Sequence, residues 1–149
     1  MTETVMAADE ILTVIPREAE KSYPEEGCGF LYGHQHDAII EMAEVRFLEN
    51  QSSDGRTHRY RISPEQYLEG EKFADEHGLE LVGIYHSHPD HPAIPSRYDL
   101  EWALPSLIYL IVSVQQGRVN GFRWWKLSPD RTTFEEIRFI KERIRGTGS

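Results

Sequence analysis

Residues 79–102 read LELVGIYHSHPDHPAIPSRYDLEW and hold the most informative pattern of the chain. We predict a buried strand at Leu79–Tyr85 that delivers two histidines to its end, then a proline-rich loop and a short helix opened by Ser96. Side chains alternate along a strand, so His86 and His88 point the same way while the serine between them points away. Two imidazoles on one side of a strand end can bind one metal ion.

Asp99 follows in the first turn of the short helix, where its carboxylate can reach back toward the histidines as a third ligand. Two nitrogens and one oxygen are a recurrent catalytic zinc set, because they leave the fourth tetrahedral position open for water. Other interpretations remain open. Ser96 and Asp99 have the spacing of a helix cap with an acid in the first turn. A His-x-His pair alone is weak, since the chain has seven histidines.

The residues His86–Pro89 and Pro95–Asp99 together resemble the JAMM motif of the MPN+ (Mov34/JAB1) metallopeptidases. The motif of that family also has a glutamate far upstream, beside a Cys-Gly pair on an early strand. Residues 23–33, YPEEGCGFLYG, supply this part. The family pattern places the acid two residues before the cysteine, which selects Glu26 over Glu25.

The resemblance implies a role for each of five residues. His86, His88 and Asp99 would hold Zn²⁺, which lowers the pKa of its bound water to about 7. Glu26 would act as the general base and deliver the proton to the leaving amine; without the histidines, it would read as a surface acid. Ser96 would donate to the developing oxyanion, a role that helix capping does not exclude.

The resemblance also implies a class of substrate. Eukaryotic members of the family cut isopeptide bonds at the C-terminus of ubiquitin, and those that read linked chains carry insertions around the catalytic core. After Asp99 this sequence predicts only compact strands, so it looks like the minimal prokaryotic type. Relatives of that type act on ubiquitin-like sulfur-carrier proteins and release an amino acid, such as cysteine, from the Gly-Gly tail. The implied activity is zinc-dependent (iso)peptide hydrolysis after that Gly-Gly.

Two other classes of function compete with this interpretation. A non-catalytic MPN scaffold would not need an open metal site or Glu26. A zinc hydrolase acting on a small amide or nucleobase would use a cysteine-rich zinc set, and the chain has one cysteine, Cys28. We expect that cysteine to be a small buried residue without a thiol role.

Composition limits the remaining possibilities. A length of 149 residues predicts a single domain over 1–149. One cysteine excludes an internal disulfide, no apolar run would span a membrane, and no export signal is recognisable, so we expect a soluble cytoplasmic protein. The formal charge of −9 argues against nonspecific binding to nucleic acid or to an anionic membrane. Oligomeric state cannot be read from these features.

The order of elements predicts a mixed α/β class. The resemblance sharpens this to the MPN fold, which is similar to the cytidine deaminase architecture, with a mixed sheet packed against helices. Predicted helices lie at residues 8–23, 63–78 and 99–103, with Pro16 either kinking the first or marking its start. Predicted strands lie at 27–33, 38–47, 59–62, 79–85, 106–114, 118–127 and 132–140. Residues 50–57 read as a mobile polar loop, and 141–149 as a frayed tail.

Several side chains receive a structural interpretation. His34 and His36 have ligand-like spacing but fall in a predicted polar turn, so we expect them to be solvated. Trp124 and Trp125 are expected to pack in the core and at its rim. The buried side of the second helix is predicted to consist of Leu68, Phe73 and Ala74.

Overall fold

A computed structural model describes residues 3–141. Its elements in chain order are β1 (Thr4–Ala7), α1 (Asp9–Ser22), β2 (Cys28–His36), β3 (Ile39–Leu48), α2 (Pro64–His77), β4 (Glu80–Pro89), α3 (Arg97–Trp102), β5 (Ile108–Gln115), β6 (Arg118–Leu127) and β7 (Phe134–Lys141). Most of the predicted frayed tail, residues 142–149, lies outside the described residues, whereas Lys141 ends β7.

The seven strands form one sheet in the order β1-β3-β2-β4-β5-β6-β7, which closes into a barrel because β7 also pairs with β1. The β4–β5 pair and both pairs of β1 are parallel, and the other pairs are antiparallel. Helices pack on this sheet, so the predicted mixed α/β class is confirmed. No helix in the described part of the chain is long and apolar enough to cross a bilayer.

Both faces of the central strands are buried. On β2, Leu31 packs in one cluster with Ile15 of α1, whereas Phe30 and Tyr32 pack in a second cluster with Ala74 of α2. Strands covered on both faces read as nearly continuous apolar runs, which is why β4 and β5 were recognisable in the sequence. The site strand β4 is therefore held between two layers of packed side chains.

The structure corrects the prediction for the region around α2. Residues 59–62 pair with no strand, so the predicted short strand is wrong. Leu68 is 74% exposed and does not belong to the buried side of the helix. Gly70 takes that place: a Cβ there would lie 2.5 Å from the Phe30 ring, and the Gly70 carbonyl accepts a hydrogen bond from the Tyr32 hydroxyl at 3.0 Å. The capping box of Ser63 begins the helix as expected.

The first hairpin also differs from the prediction. β2 continues to His36, so His34 and His36 lie on a strand and not in a turn; the turn is at residues 37–38. His36 is exposed and His34 is partly exposed, with its Nδ1 3.4 Å from a carboxylate oxygen of Glu80. Strand β1 was not predicted.

Other expectations agree with the structure. Pro16 lies inside α1 and does not mark its start. Trp124 is buried and Trp125 is partly buried, as core and rim residues. Cys28 is buried, and that burial raises the pKa of its thiol to about 12.

Candidate active site

Strand β4 brings two imidazoles together at the centre of the sheet. It runs to Pro89, so His86 and His88 lie within the paired strand and not beyond its end. His86 is fully buried and His88 is 6% exposed. Their Nε2 atoms are 3.2 Å apart. Strand alternation alone accounts for this pairing.

Helix α3 supplies the carboxylate. Oδ1 of Asp99 lies 3.3 Å from His86 Nε2, and Oδ2 lies 3.1 Å from His88 Nε2. The same Oδ2 accepts a hydrogen bond from the Ser96 backbone N–H at 2.8 Å, and Ser96 Oγ accepts one from the Asp99 N–H at 3.1 Å. This capping box begins α3 and also orients the carboxylate toward the histidines. Ser96 Oγ accepts in this bond, so the bond does not consume its O–H donor.

The three side chains fit a divalent metal ion. A tetrahedral zinc with bonds of about 2.0–2.1 Å holds its ligand atoms roughly 3.3–3.4 Å apart. The observed separations are 3.1–3.3 Å. His88 Nδ1 donates to the Pro92 carbonyl at 2.8 Å, which leaves the lone pair of Nε2 directed at the cluster.

The electrostatics of the cluster agree with this fit. Burial alone would raise the pKa of Asp99, but the charges and hydrogen bonds of His86 and His88 hold it well below its usual range. Burial lowers the pKa of His86 in spite of the adjacent carboxylate. Burial opposes the charged form of His88 as well, but the hydrogen bond and charge of Asp99 raise the pKa of its imidazole. Because metals bind an ionised carboxylate and neutral imidazoles, binding of a metal ion would displace a proton from His88 when it is charged.

Glu26 completes the cluster from a different part of the chain. It precedes β2, and the residue is 5% exposed. Its ligand atom and those of His86 and His88 lie within 4.8 Å of one another. Glu25 is exposed, 3.9 Å from Arg56. The structure therefore brings Glu26, and not Glu25, to the histidines.

The carboxyl of Glu26 is in an unusual state. Among the described residues, Oε1 of this side chain has no hydrogen-bond partner. Burial raises the pKa of Glu26 to about 8, with the charge of His88 opposing this effect and that of Asp99 adding to it. Such a carboxyl can gain and lose a proton near neutral pH.

Ser87 holds the backbone that carries Glu26. It points to the opposite face of β4 from the two histidines, and its Oγ accepts a hydrogen bond from the Gly27 N–H at 2.8 Å. The Gly27 carbonyl accepts the Ser87 N–H at 3.0 Å. The buried serine between the histidines thereby ties the glutamate segment to β4.

Asn50 is a residue that sequence reasoning missed. Its Nδ2 donates to the carbonyls of Glu26 at 3.1 Å and Arg59 at 2.9 Å, and its Oδ1 accepts from the N–H groups of Ser52 at 2.9 Å and Arg61 at 3.1 Å. This buried side chain anchors the polar loop that we predicted to be mobile. An asparagine at the start of a polar loop signals an Asx turn, which was the available clue.

The contact of Tyr60 with the cluster was also not predicted, because this residue was assigned to a short strand at 59–62. Its ring stacks on His86, with centroids 4.4 Å apart and an interplanar angle of 20°. The tyrosine therefore fixes the plane of a buried imidazole whose Nδ1 has no hydrogen-bond partner among the described residues.

Two grooves border the cluster. The first contains Glu26 and His88, and the second contains Asp99. Their other principal lining residues are His58, His91, Ile94 and Ser96 in the first groove, and Tyr60, Arg61, Tyr67, Tyr98 and Trp102 in the second. Members of the cluster thus line two separate grooves.

Comparisons with known proteins agree with this arrangement. The chain is 33% identical to the desampylase of Pyrococcus furiosus over 121 residues, which cover 78% of this chain and 76% of that protein. It is 24% identical to the CysO-cysteine peptidase of Mycobacterium tuberculosis over 139 residues, covering 93% and 92%. A solution structure of a protein from Salinibacter ruber superposes with a TM-score of 0.73 at 38% identity, covering 95% of this chain and 94% of that one.

A family model described as prokaryotic homologs of the JAB domain matches residues 8–127, which include all five predicted site residues. The match therefore spans the helix, the strands and the capped turn that bring the cluster together. On this match, which covers most of the chain, the protein belongs to the prokaryotic JAB-domain family.

Proposed function

We propose that this chain is a zinc-dependent peptidase that hydrolyses the bond after the C-terminal Gly-Gly of a ubiquitin-like sulfur-carrier protein. The observation that carries the proposal is the buried cluster of His86, His88 and Asp99, 3.1–3.3 Å apart. Beside it lies the carboxyl of Glu26, whose Oε1 has no hydrogen-bond partner among the described residues. The desampylase and the CysO-cysteine peptidase among its relatives support the carrier class.

His86, His88 and Asp99 would hold the zinc ion. Bound there, zinc would supply Lewis acidity, which lowers the pKa of a water molecule so that it can lose a proton and act as a nucleophile at neutral pH. Packing on both faces of β4 and the Ser96 cap keep the three side chains oriented.

Glu26 accepts the proton of the attacking water and passes it to the leaving nitrogen. In the metal-free protein burial raises the pKa of this carboxyl to about 8. The charge of a zinc ion beside it would lower that pKa and favour the ionised form, which accepts the proton. Ser96 donates its O–H to the developing oxyanion, a contribution of about 3 kcal/mol by analogy with other single donors. A buried carboxyl without a partner lowers stability, so a purely structural module would have no use for Glu26.

The test is a cleavage assay with the zinc-loaded protein. Ubiquitin-like carriers ending in Gly-Gly are joined through an amide to cysteine or to a lysine-containing peptide, and the products are weighed by mass spectrometry. We expect the free carrier to appear with wild type and with Glu25→Gln, and to be almost absent with Glu26→Gln. An active Glu26→Gln variant beside an inactive Glu25→Gln variant would overturn the assignment of the base.

A further inference from the structure

One short segment of this acidic chain carries basic residues and no acidic ones. The formal charge is −9, yet residues 55–64 read GRTHRYRISP and contain three arginines, one histidine and no carboxylate. We call Arg56–Arg61 the basic segment. Its three arginines and His58 are all exposed.

The basic segment lies over the catalytic cluster. The Arg56 carbonyl accepts the Glu26 N–H at 2.7 Å, and Tyr60 stacks on His86. His58 lines the groove that contains Glu26, whereas Arg61 lines the groove that contains Asp99. A chain that reaches the cluster along either groove must therefore pass beside this segment.

The guanidinium groups are available to a partner. Arg56 lies 3.9 Å from a carboxylate oxygen of Glu25. Within the described range 3–141, by contrast, no carboxylate lies within 4.0 Å of the exposed side chains of Arg59 and Arg61. The guanidinium of Arg59 lies over the Tyr98 ring, with its Cζ 5.2 Å from the centroid. Asn50 already orders the backbone of the segment, so less ordering entropy is lost on binding.

We infer that the basic segment docks an acidic stretch of the carrier tail, immediately before its Gly-Gly. This inference rests on the proposed function and adds the chemistry of the substrate. Arginine forks bind carboxylates through paired, charge-assisted hydrogen bonds, whereas a basic tail meets like charge and is rejected. At physiological salt, charges are screened beyond about 8 Å, so the local segment outweighs the distant acidic surface.

The binding test uses two fluorescein-labelled hexapeptides with free C-termini, Asp-Glu-Asp-Leu-Gly-Gly and Lys-Arg-Lys-Leu-Gly-Gly. Fluorescence anisotropy with the whole protein, with and without zinc, is expected to show at least about tenfold tighter binding of the acidic peptide, weakening as salt rises. Equal affinities, or no measurable binding of the acidic peptide, would overturn the inference. So would tighter binding of a labelled single-stranded RNA hexamer than of the acidic peptide.

Matched variants test whether the basic segment causes the preference for the acidic peptide. The double variant Arg59→Glu/Arg61→Glu should lose the preference for the acidic peptide, and the neutral pair Arg59→Gln/Arg61→Gln should lose most of it without adding acid to the surface. The control is Arg123→Glu/Arg138→Glu, with two arginines on β6 and β7, strands that β5 separates from β4. An unchanged preference in both segment variants, or an equal loss in the control, contradicts the inference.

Cleavage assays on the same proteins separate the two proposals. If no Gly-Gly conjugate is cleaved while charge-selective binding persists, the peptidase proposal fails and the docking surface stands. If conjugates with acidic and basic tails are cleaved with equal KM, the peptidase proposal stands and the docking inference fails.

Discussion

Burial of the Glu26 carboxyl destabilises the fold when the group is ionised. The carboxyl lies beside the histidines, and its Oε1 receives no hydrogen bond from any described residue. Its pKa is raised from 4.5 to about 8, so between these pH values the unfolded chain releases a proton that the folded chain retains. The stability contributed by this group is therefore full below about pH 4.5 and is lost as the pH rises toward 8.

Replacing Glu26 by glutamine should remove this loss. We expect Glu26→Gln to stabilise the metal-free protein by roughly 2–4 kcal/mol at pH 9 and by much less at pH 5. Urea unfolding at both pH values measures the difference. The exposed Glu25→Gln is the matched control and should change little; a Glu26→Gln effect that does not vary with pH would contradict the burial argument.

Zinc retention by variants can distinguish the proposed metal ligands from the proposed base. Two possible sets of ligands share His86 and His88. One set adds Asp99 and the other adds Glu26. We expect His88→Ala and Asp99→Asn to lose most bound zinc on dialysis, whereas Glu26→Gln retains it, because Glu26 is the proposed base and Asp99 the proposed third ligand. Elemental analysis decides the matter, and zinc lost from Glu26→Gln but kept by Asp99→Asn would reverse the two roles.

At the level of elements, the loop between β3 and α2 depends on Asn50. We expect Asn50→Ala to lose about 1–3 kcal/mol of stability, because it leaves buried backbone groups without partners. Its turnover should fall while zinc is retained, since the loop holds the backbone of Glu26 and the ring that stacks on His86. Asn50→Asp can still accept the hydrogen bonds from the Ser52 and Arg61 N–H groups, so its losses of stability and turnover should be smaller.

Limited trypsin digestion reports on this loop directly, because three arginines lie between residues 56 and 61. Cleavage there should accelerate in Asn50→Ala and remain slow in Asn120→Ala, a control with an exposed asparagine on β6. Identical digestion patterns for the two variants would show that Asn50 does not anchor the loop.

At the scale of the whole molecule, the shape of the site predicts what the substrate tail can be. Glu26, His86, His88 and Asp99 are only 0–6% exposed, so the approach to them is narrow. Replacing the penultimate glycine of the carrier by a bulkier residue should lower the rate strongly, since a side chain would meet the walls. Changing the released residue should alter the cleavage rate little. Among the described residues, the strands after α3 are joined by short connections, which offer little surface to bind a second folded domain.

Steady-state cleavage of matched conjugates tests this tail prediction. Equal rates for Gly-Gly and Ala-Ala carriers would contradict the narrow slot. Strong selection among leaving residues would contradict the weak grip beyond the scissile bond.

Some features of the protein follow from the sequence alone because they depend on contacts between near neighbours. Strand alternation places His86 and His88 side by side, and a capping box of four residues, Ser96–Asp99, orients the aspartate. Apolar runs mark the buried strands. Local rules and the resemblance were sufficient for the mixed α/β class, while the roles of the five site residues stay predictions.

Other features were decided only by the tertiary structure because they join segments far apart in the chain. Closure of the barrel pairs β1 with β7, and no local pattern encodes that contact. Asn50 and Tyr60 belong to an irregular loop whose role depends on where α2 and β4 lie. The burial that raises the pKa of Glu26 likewise exists only once distant strands have packed around it, since desolvation is a property of the folded surroundings and not of the residue.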